Sequence, residues 1–399
     1  MQIQKLVYIR YLPLTAKIYE DFYMREVAEI GIKVEYWDIT PLFFKDVFSQ
    51  EDSSFLTNTR MFKTYTELET AISLEPEINK VLFLSIMTFE GRIGKLYRLF
   101  TKYNCNLAVI GRNMIPIAPG KSLPLWQRLL QLSYSKVYNY LKTKRVMAQK
   151  ARGTIKKYDI IFLGGNMGWQ GIGAIDYSDI STAQVVKLNS DDYDNFLRLK
   201  DAAPLIESDY ILFLDEYLPL HPDTSLFSIK NITAEAYYPQ LNDYFKRVET
   251  QYGMPVIIAA HPKALKYKEQ DYFEGRKVFF GKSAALSKYA YFVLAHDSTS
   301  INYPIAFGKR LHFITSKNIE NGINSVHRNV VNYAKYLGCN YQWFDGDGKI
   351  NLIDHLPIEK YNQYKYDFQT WPETENKFSS EIFIEFLKSL HDKHDPETN

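Results

Sequence analysis

Pro255-Val256-Ile257-Ile258-Ala259-Ala260-His261-Pro262 and, further along, Tyr291-Phe292-Val293-Leu294-Ala295-His296-Asp297-Ser298-Thr299-Ser300 decide how this chain is read. Each opens on a short apolar run without polar alternation, the look of a strand buried on both faces of a parallel sheet. One run stops at an imidazole before a proline, the other at a row of hydroxyls. Ligands of open α/β sheets bind outside the carboxyl ends of the strands, so both loops would lie along one edge. An imidazole and hydroxyls there suit a phosphate.

Working outward, Tyr158-Asp159-Ile160-Ile161-Phe162-Leu163-Gly164-Gly165, Gln184-Val185-Val186-Lys187 and Tyr210-Ile211-Leu212-Phe213-Leu214 read as strands of the same series, and runs ending at Phe280 and Ile314 complete it. An earlier series comprises Leu6-Val7-Tyr8-Ile9, a helix from about Ala16 to Ile30, Lys33-Val34-Glu35-Tyr36-Trp37, Lys80-Val81-Leu82-Phe83-Leu84, a helix through Leu96 to Tyr103, and Asn106-Leu107-Ala108-Val109-Ile110. Strands separated by helices imply parallel sheets. A chain of 399 residues exceeds what one core fills. The expected fold is therefore α/β, with two Rossmann-like domains facing across a cleft. Residues 1–152 would form the first, with Arg152-Gly153 as linker, and 153–375 the second. Residues 376–399 would be a helix and polar tail that can cross back onto the first.

The net charge of +2 hides an asymmetry, because every charged residue between Glu90 and Asp159 is basic. Within that stretch Leu125, Trp126, Leu129, Leu130, Val137 and Leu141 interleave with Arg128, Lys136, Lys142, Lys144 and Arg145. Residues 121–157 would suit anionic lipid, an anionic sugar acceptor or a diphosphate-linked lipid, or would be a solvated basic helix. Tyr134, Tyr138 and Tyr140 could stack on RNA bases, but no RNA-binding module is recognisable and no nucleic acid partner is expected. The start lacks the shape of a signal peptide and no run of apolar residues is long enough to span a membrane, so a cytoplasmic protein is expected, peripheral on the inner face of the cell membrane if the basic stretch binds lipid. Cys105 and Cys339, one in each proposed domain, read as reduced thiols.

Asp297 or Ser298 can cap a helix beginning near Ser300, and Ser298, Thr299 and Ser300 can donate to a phosphate or merely cap. His261, held by Pro262, can donate to a leaving phosphate or protonate it. His221-Pro222 repeats the pair but lies beyond its strand in a proline-rich loop, so it ranks lower. Gly164-Gly165-Asn166 would let backbone approach a ligand, though it is not G-x-G-x-x-G. Asp345-Gly346-Asp347-Gly348 spells a metal-binding Asp-x-Asp but reads better as a surface turn. Asp191-Asp192-Tyr193-Asp194 reads as a helix start. Asp215-Glu216 ends a strand on the same edge as His261 and is the reserve acid for base or donor binding. P-loop, zinc-protease and esterase motifs are absent.

Taken in order, these residues resemble bacterial GT-B glycosyltransferases that use CMP-activated sugar acids: sialyltransferases, polysialyltransferases and Kdo transferases. That group carries an acid-acid-glycine motif, then His-Pro, then Ser-Ser/Thr. His261-Pro262 and Ser298-Thr299 match the last two, while Phe89-Glu90-Gly91 keeps the second acid and the glycine of the first. The resemblance implies inverting transfer of a nonulosonic acid or Kdo from a CMP donor to a bacterial surface glycan, free or lipid-linked, without cofactor or metal. Glu90 would be the base, and His261, Pro262, Ser298, Thr299 and Ser300 would bind the phosphate. Two alternatives remain open: an NDP-sugar 2-epimerase of the same layout, and a non-catalytic glycan- or membrane-binding assembly protein.

Overall fold

The computed structural model of the protein describes residues 1–44, 58–116, 134–170, 175–222, 232–353 and 355–392. Its strands form two sheets, and every strand pairing is parallel. The α/β class and the two Rossmann-like units expected from the sequence are both present.

The first sheet contains β1 (Lys5–Arg10), β2 (Lys33–Asp38), β3 (Thr59–Met61), β4 (Val81–Ser85), β5 (Asn106–Gly111), β6 (Ile160–Gly164) and β7 (Gln184–Leu188), in the spatial order β3-β2-β1-β4-β5-β6-β7. Its central strands β1, β4, β5 and β6 are largely buried on both faces because helices cover both. Val7 and Ile9 join Trp37, Phe83 and Phe100 in one core, while Leu6 and Tyr8 join Tyr36, Leu84 and Phe162 in the other. The expected helix from about Ala16 to Ile30 is broken into Ala16–Asp21 and Met24–Glu29 at Tyr23, whose φ is +57°. Tyr23 is buried, with its ring centroid 5.5 Å from that of Phe383.

The second sheet contains β8 (Ile211–Leu214), β9 (Val256–Ala260), β10 (Val278–Phe280), β11 (Val293–Ala295), β12 (Leu311–Thr315) and β13 (Asn340–Trp343), ordered β10-β9-β8-β11-β12-β13. Its core joins Ile211, Phe213, Val256, Ile258, Phe292 and Leu294 to Tyr237, Leu241, Phe245 and Val248 of the helix Ala234–Tyr252. Both sheets place a later strand beside their first one, the order that creates a switch point at the carboxyl edge.

The boundary expected at 152/153 is corrected. β6 and β7, assigned from sequence to the second domain, extend the first sheet, with Ala108 opposite Ile160 and Ile160 opposite Gln184. Arg152-Gly153 is the end of the crossover helix Tyr134–Ala151, where Gly153 takes φ +73° and Thr154 N–H bonds to Gln149 carbonyl oxygen. Alternating strands and helices reveal parallel pairing but not which sheet a strand joins. The first unit runs to Asn189 and resumes at Thr370, and the second is built on Ser190–Gln369. The final helix, Ser379–His391, packs Phe383, Leu387 and Leu390 into the first unit's core, and Ile3 N–H bonds to Leu390 carbonyl oxygen at 3.2 Å. Among the described residues no helix is long and apolar enough to cross a membrane.

Candidate functional site

In the second unit a cavity of about 420 Å³ opens at the carboxyl ends of β8, β9 and β11, beside the switch point between β8 and β11. Asp215 follows β8, His261 and Pro262 follow β9, and Ser298, Thr299 and Ser300 follow β11, and all of them line it. The two loops that the sequence places along one edge therefore share one cavity. Asp192, Asn195 and Tyr303, which sequence reasoning did not select, complete the wall.

His261 is half-buried, and its Nδ1 accepts the Lys263 backbone N–H at 3.1 Å. A nitrogen accepting that bond carries no proton, so the neutral ring carries it on Nε2 as a donor. The ring of His221 stands edge to face against it, with centroids 4.9 Å apart and planes at 69°. The two His-Pro corners, rivals in the sequence, are neighbours in the structure.

Ser298 is the cap anticipated from the sequence. Its Oγ accepts Ser300 N–H at 3.2 Å at the start of the turn Thr299–Ile301, which runs into the helix Asn302–Ala306. Capping uses a lone pair, so the hydroxyl proton can still be donated. His296 belongs to the core: its Nδ1 donates to Ile314 carbonyl oxygen at 2.6 Å, and Tyr237 hydroxyl meets Nε2 at 2.8 Å. Burial lowers its pKa to about 4.

Around these donors lie carboxyls that burial makes harder to ionise. Asp215 is buried, its Oδ1 has no hydrogen-bond partner, and its Oδ2 lies 3.5 Å from His261 N–H. Burial raises its pKa to about 6, against the lowering effect of bonds from Tyr217 N–H and the Tyr267 hydroxyl. Burial and the neighbouring Asp297 raise Glu216 well above the usual carboxylate range. Burial likewise lifts Asp297 to about 6, although Asn329 Nδ2 donates to it at 2.7 Å. Asp192, in the first turn of the helix Asp191–Leu199, accepts Asn302 Nδ2 at 2.7 Å and Tyr303 hydroxyl at 2.6 Å, and burial raises it too. No lysine or arginine is among the described residues lining the cavity. Nor do the described residues group three His, Cys, Asp or Glu in a way that could hold a metal ion.

Glu90 lies in the first unit beyond β4, before the turn Gly91–Ile93, and pairs with Arg92 Nε at 2.8 Å. Gly91 has a packing reason of its own, since a Cβ there would lie 2.7 Å from the backbone nitrogen of Thr143. Asp215 and Glu216, two consecutive acids, are followed by Tyr217 at φ +57°, a conformation that favours glycine. That positive φ is invisible in the sequence, which shows a tyrosine.

Gly164, Gly165 and Asn166 belong to the first unit, at the end of β6, and not to the expected donor domain. A Cβ on Gly164 would lie 2.8 Å from Arg112 Cβ, so close packing between β5 and β6 accounts for that glycine. Asp345 and Asp347 sit in an exposed turn, where Asp345 Oδ2 accepts Lys317 N–H at 2.8 Å. Of the basic stretch, 121–133 lies outside the described residues. The helix beyond it exposes Tyr138, Tyr140 and Leu141 beside Lys142, Lys144 and Arg145.

No protein-family model matches the chain, and no curated protein does. Solved structures with a similar course of chain include UGT71G1 of Medicago truncatula complexed with UDP-glucose, at 12% identity and TM-score 0.42, covering 98% of this chain and 94% of that one. The UDP-GlcNAc 2-epimerase of Methanocaldococcus jannaschii is similar at 11% identity and TM-score 0.44, covering 96% and 99%. CalG4, the calicheamicin glycosyltransferase, is similar at 9% identity and TM-score 0.39, covering 98% and 94%. These likenesses are to the fold and assign no substrate to this chain.

Proposed function

We propose that the protein is an inverting glycosyltransferase of GT-B type, taking a nonulosonic acid or Kdo from a CMP-activated donor whose phosphate sits in the cavity of the second unit. The observation that carries this reading is that Asp215, His261 and Ser298–Ser300 line one cavity beside a topological switch point. The acceptor hydroxyl, from a surface glycan, attacks the anomeric carbon as the bond to the phosphate oxygen breaks. Its proton passes to Asp215, and the electron pair leaves with CMP. The phosphodiester carries one negative charge before this step and CMP carries more after it. Nε2–H of His261 and the hydroxyls of Ser298, Thr299 and Ser300 meet that developing charge.

At an effective dielectric of about 20, each negative charge ~6 Å from an ionised carboxylate costs about 3 kcal/mol, and no cation among the described lining residues offsets it. A CMP-activated sugar acid carries two such charges, one on the phosphodiester and one on the carboxylate, as an NDP-sugar does on its diphosphate, so the choice of nucleotide falls to the binding comparison of CMP with UDP. A pKa near 6 leaves Asp215 mostly ionised at neutral pH yet basic enough to take a proton.

Calorimetric titration of CMP and UDP, followed by transfer assays, tests the scheme. Asp215→Asn should bind CMP without transferring, His261→Ala should weaken both, and Glu90→Gln should keep transfer. Loss of transfer in Glu90→Gln with retention in Asp215→Asn returns the base role to Glu90. Binding of UDP alone, with sugar isomerisation in the absence of acceptor, supports the epimerase instead. The exposed Tyr138, Tyr140 and Leu141 with neighbouring basic residues support peripheral binding of the first unit to anionic lipid.

A further inference from the structure

His221 has no part in the chemistry above, but its surroundings give it one. We propose that His221 is a positioning residue for His261, the two His-Pro corners working as one imidazole pair. This rests on reading His261 as the phosphate donor.

His261 accepts the Lys263 backbone N–H at 3.1 Å, a bond in the ring plane that fixes the tautomer. The ring of His221 packs against it, with centroids 4.9 Å apart and planes inclined at 69°. That ring contact limits how far the His261 imidazole can tilt, and so bears on where Nε2–H is aimed.

His221 can serve as a support because it is itself held. It ends the turn Leu218–Leu220, which starts from the left-handed Tyr217 and contains Pro219, and Pro222 follows it. The base of this turn and the base of the His261 corner share one small apolar cluster. Tyr217, Ala260 and Ala264 are its buried members, with Leu220, Tyr267 and Phe280 packed against them. Tyr217 and Tyr267 meet edge to face at 5.0 Å, tying the turn after β8 to the segment after His261. Both imidazoles therefore rise from one foundation, and small errors in aiming a reacting group are costly: about 1 Å of misplacement can lose on the order of a hundredfold in rate.

The test compares His221→Ala with His221→Phe, which keeps a flat ring without nitrogens. NMR of the His261 ring protons and nitrogens reads the pairing directly, and needs no substrate. His221→Ala should shift the His261 ring resonances by removing the neighbouring ring current, while backbone amides elsewhere hold. It should also lower kcat/KM for the CMP donor about tenfold or more. His221→Phe should recover most of that loss. His261 resonances and kinetics unchanged in His221→Ala overturn the proposal, and so does a His221→Phe variant as impaired as His221→Ala. If His261→Ala leaves CMP binding and transfer intact, the phosphate-donor reading falls while the NMR comparison still reports whether the rings are paired.

Discussion

Replacing Asp215 by Asn should make the protein more stable at pH 8 while removing its activity. The carboxyl is raised from the ordinary 3.8 to about 6 by burial, so the folded protein binds this proton more tightly than the unfolded chain. Such a group contributes stability that is fully present below the unfolded pKa and is lost as pH rises through the folded one. About two pKa units correspond to roughly 3 kcal/mol, withdrawn between about pH 4 and pH 8. Asparagine does not titrate. Its oxygen can still accept the N–H groups that face Asp215, and its amide takes the position of the partnerless Oδ1. The difference in stability between Asp215→Asn and wild type should therefore grow in favour of the variant by roughly 2–3 kcal/mol over that range. For a unit of this size that is a relative rise in Tm of roughly 4–12 °C at the alkaline end. Thermal scans of both proteins from pH 4 to pH 8 read the effect. Parallel curves, or a variant that loses ground as pH rises, would refute the reasoning, because Asp215 would then not be a carboxylate ionised against its burial.

With Asp215 as base, kcat/KM for the donor should rise with pH through about 6 and then level, and Glu90→Gln should show the same profile as wild type. Gly91→Ala brings a Cβ to 2.7 Å from Thr143 nitrogen and Gly94→Ala brings one to 2.6 Å from Val146 Cγ2. Each should cost about 1–3 kcal/mol by denaturant titration, the Gly91 variant more because backbone cannot rotate aside. Replacing Tyr138, Tyr140 and Leu141 by Ser should weaken sedimentation with phosphatidylserine vesicles without changing CMP binding, and equal sedimentation of wild type and variant counts against the lipid contact.

The strands were legible because a parallel strand buried on both faces writes a continuous apolar run, as Val81–Ser85 and Val256–Ala260 do. The domain boundary was not, because pairing between β5 and β6 depends on which sheet edge is open, and Arg152-Gly153 looks alike as a linker or as a helix end. His261 and Ser298 were legible as residues of unusual chemistry placed at strand ends. Asp192 was hidden among Asp191, Tyr193 and Asp194, where a first-turn acid needs no explanation beyond the helix dipole. Only the approach of Asn302 and Tyr303 marks its carboxylate as part of the cavity wall.

A cavity holding the buried Asp215 and the half-buried Asp192 sets carboxyls against any phosphate, and the order of the strands resolves the difficulty. β8 lies between β9 and β11, so Asp215 emerges with the imidazole of His261 on one side and the hydroxyls of Ser298–Ser300 on the other. The anion and the base are thus served by different strands, and neutral donors stand beside a group that must accept a proton. A lysine or arginine in their place would bind phosphate more strongly but would also hold Asp215 ionised and lower its pKa. Neutral donors leave the raised pKa intact. The absence of a cation among the described lining residues and the elevated pKa of Asp215 are then two faces of one design: neutral donors meet the phosphate, and the base stays strong enough to deprotonate the attacking hydroxyl. Introducing a positive charge tests this directly. Thr299→Lys should tighten binding of CMP, whose phosphate carries more charge than the phosphodiester of the donor, and lower kcat as Asp215 becomes a weaker base. A gain in both would separate phosphate binding from the acid and remove the reason for pairing them in one cavity.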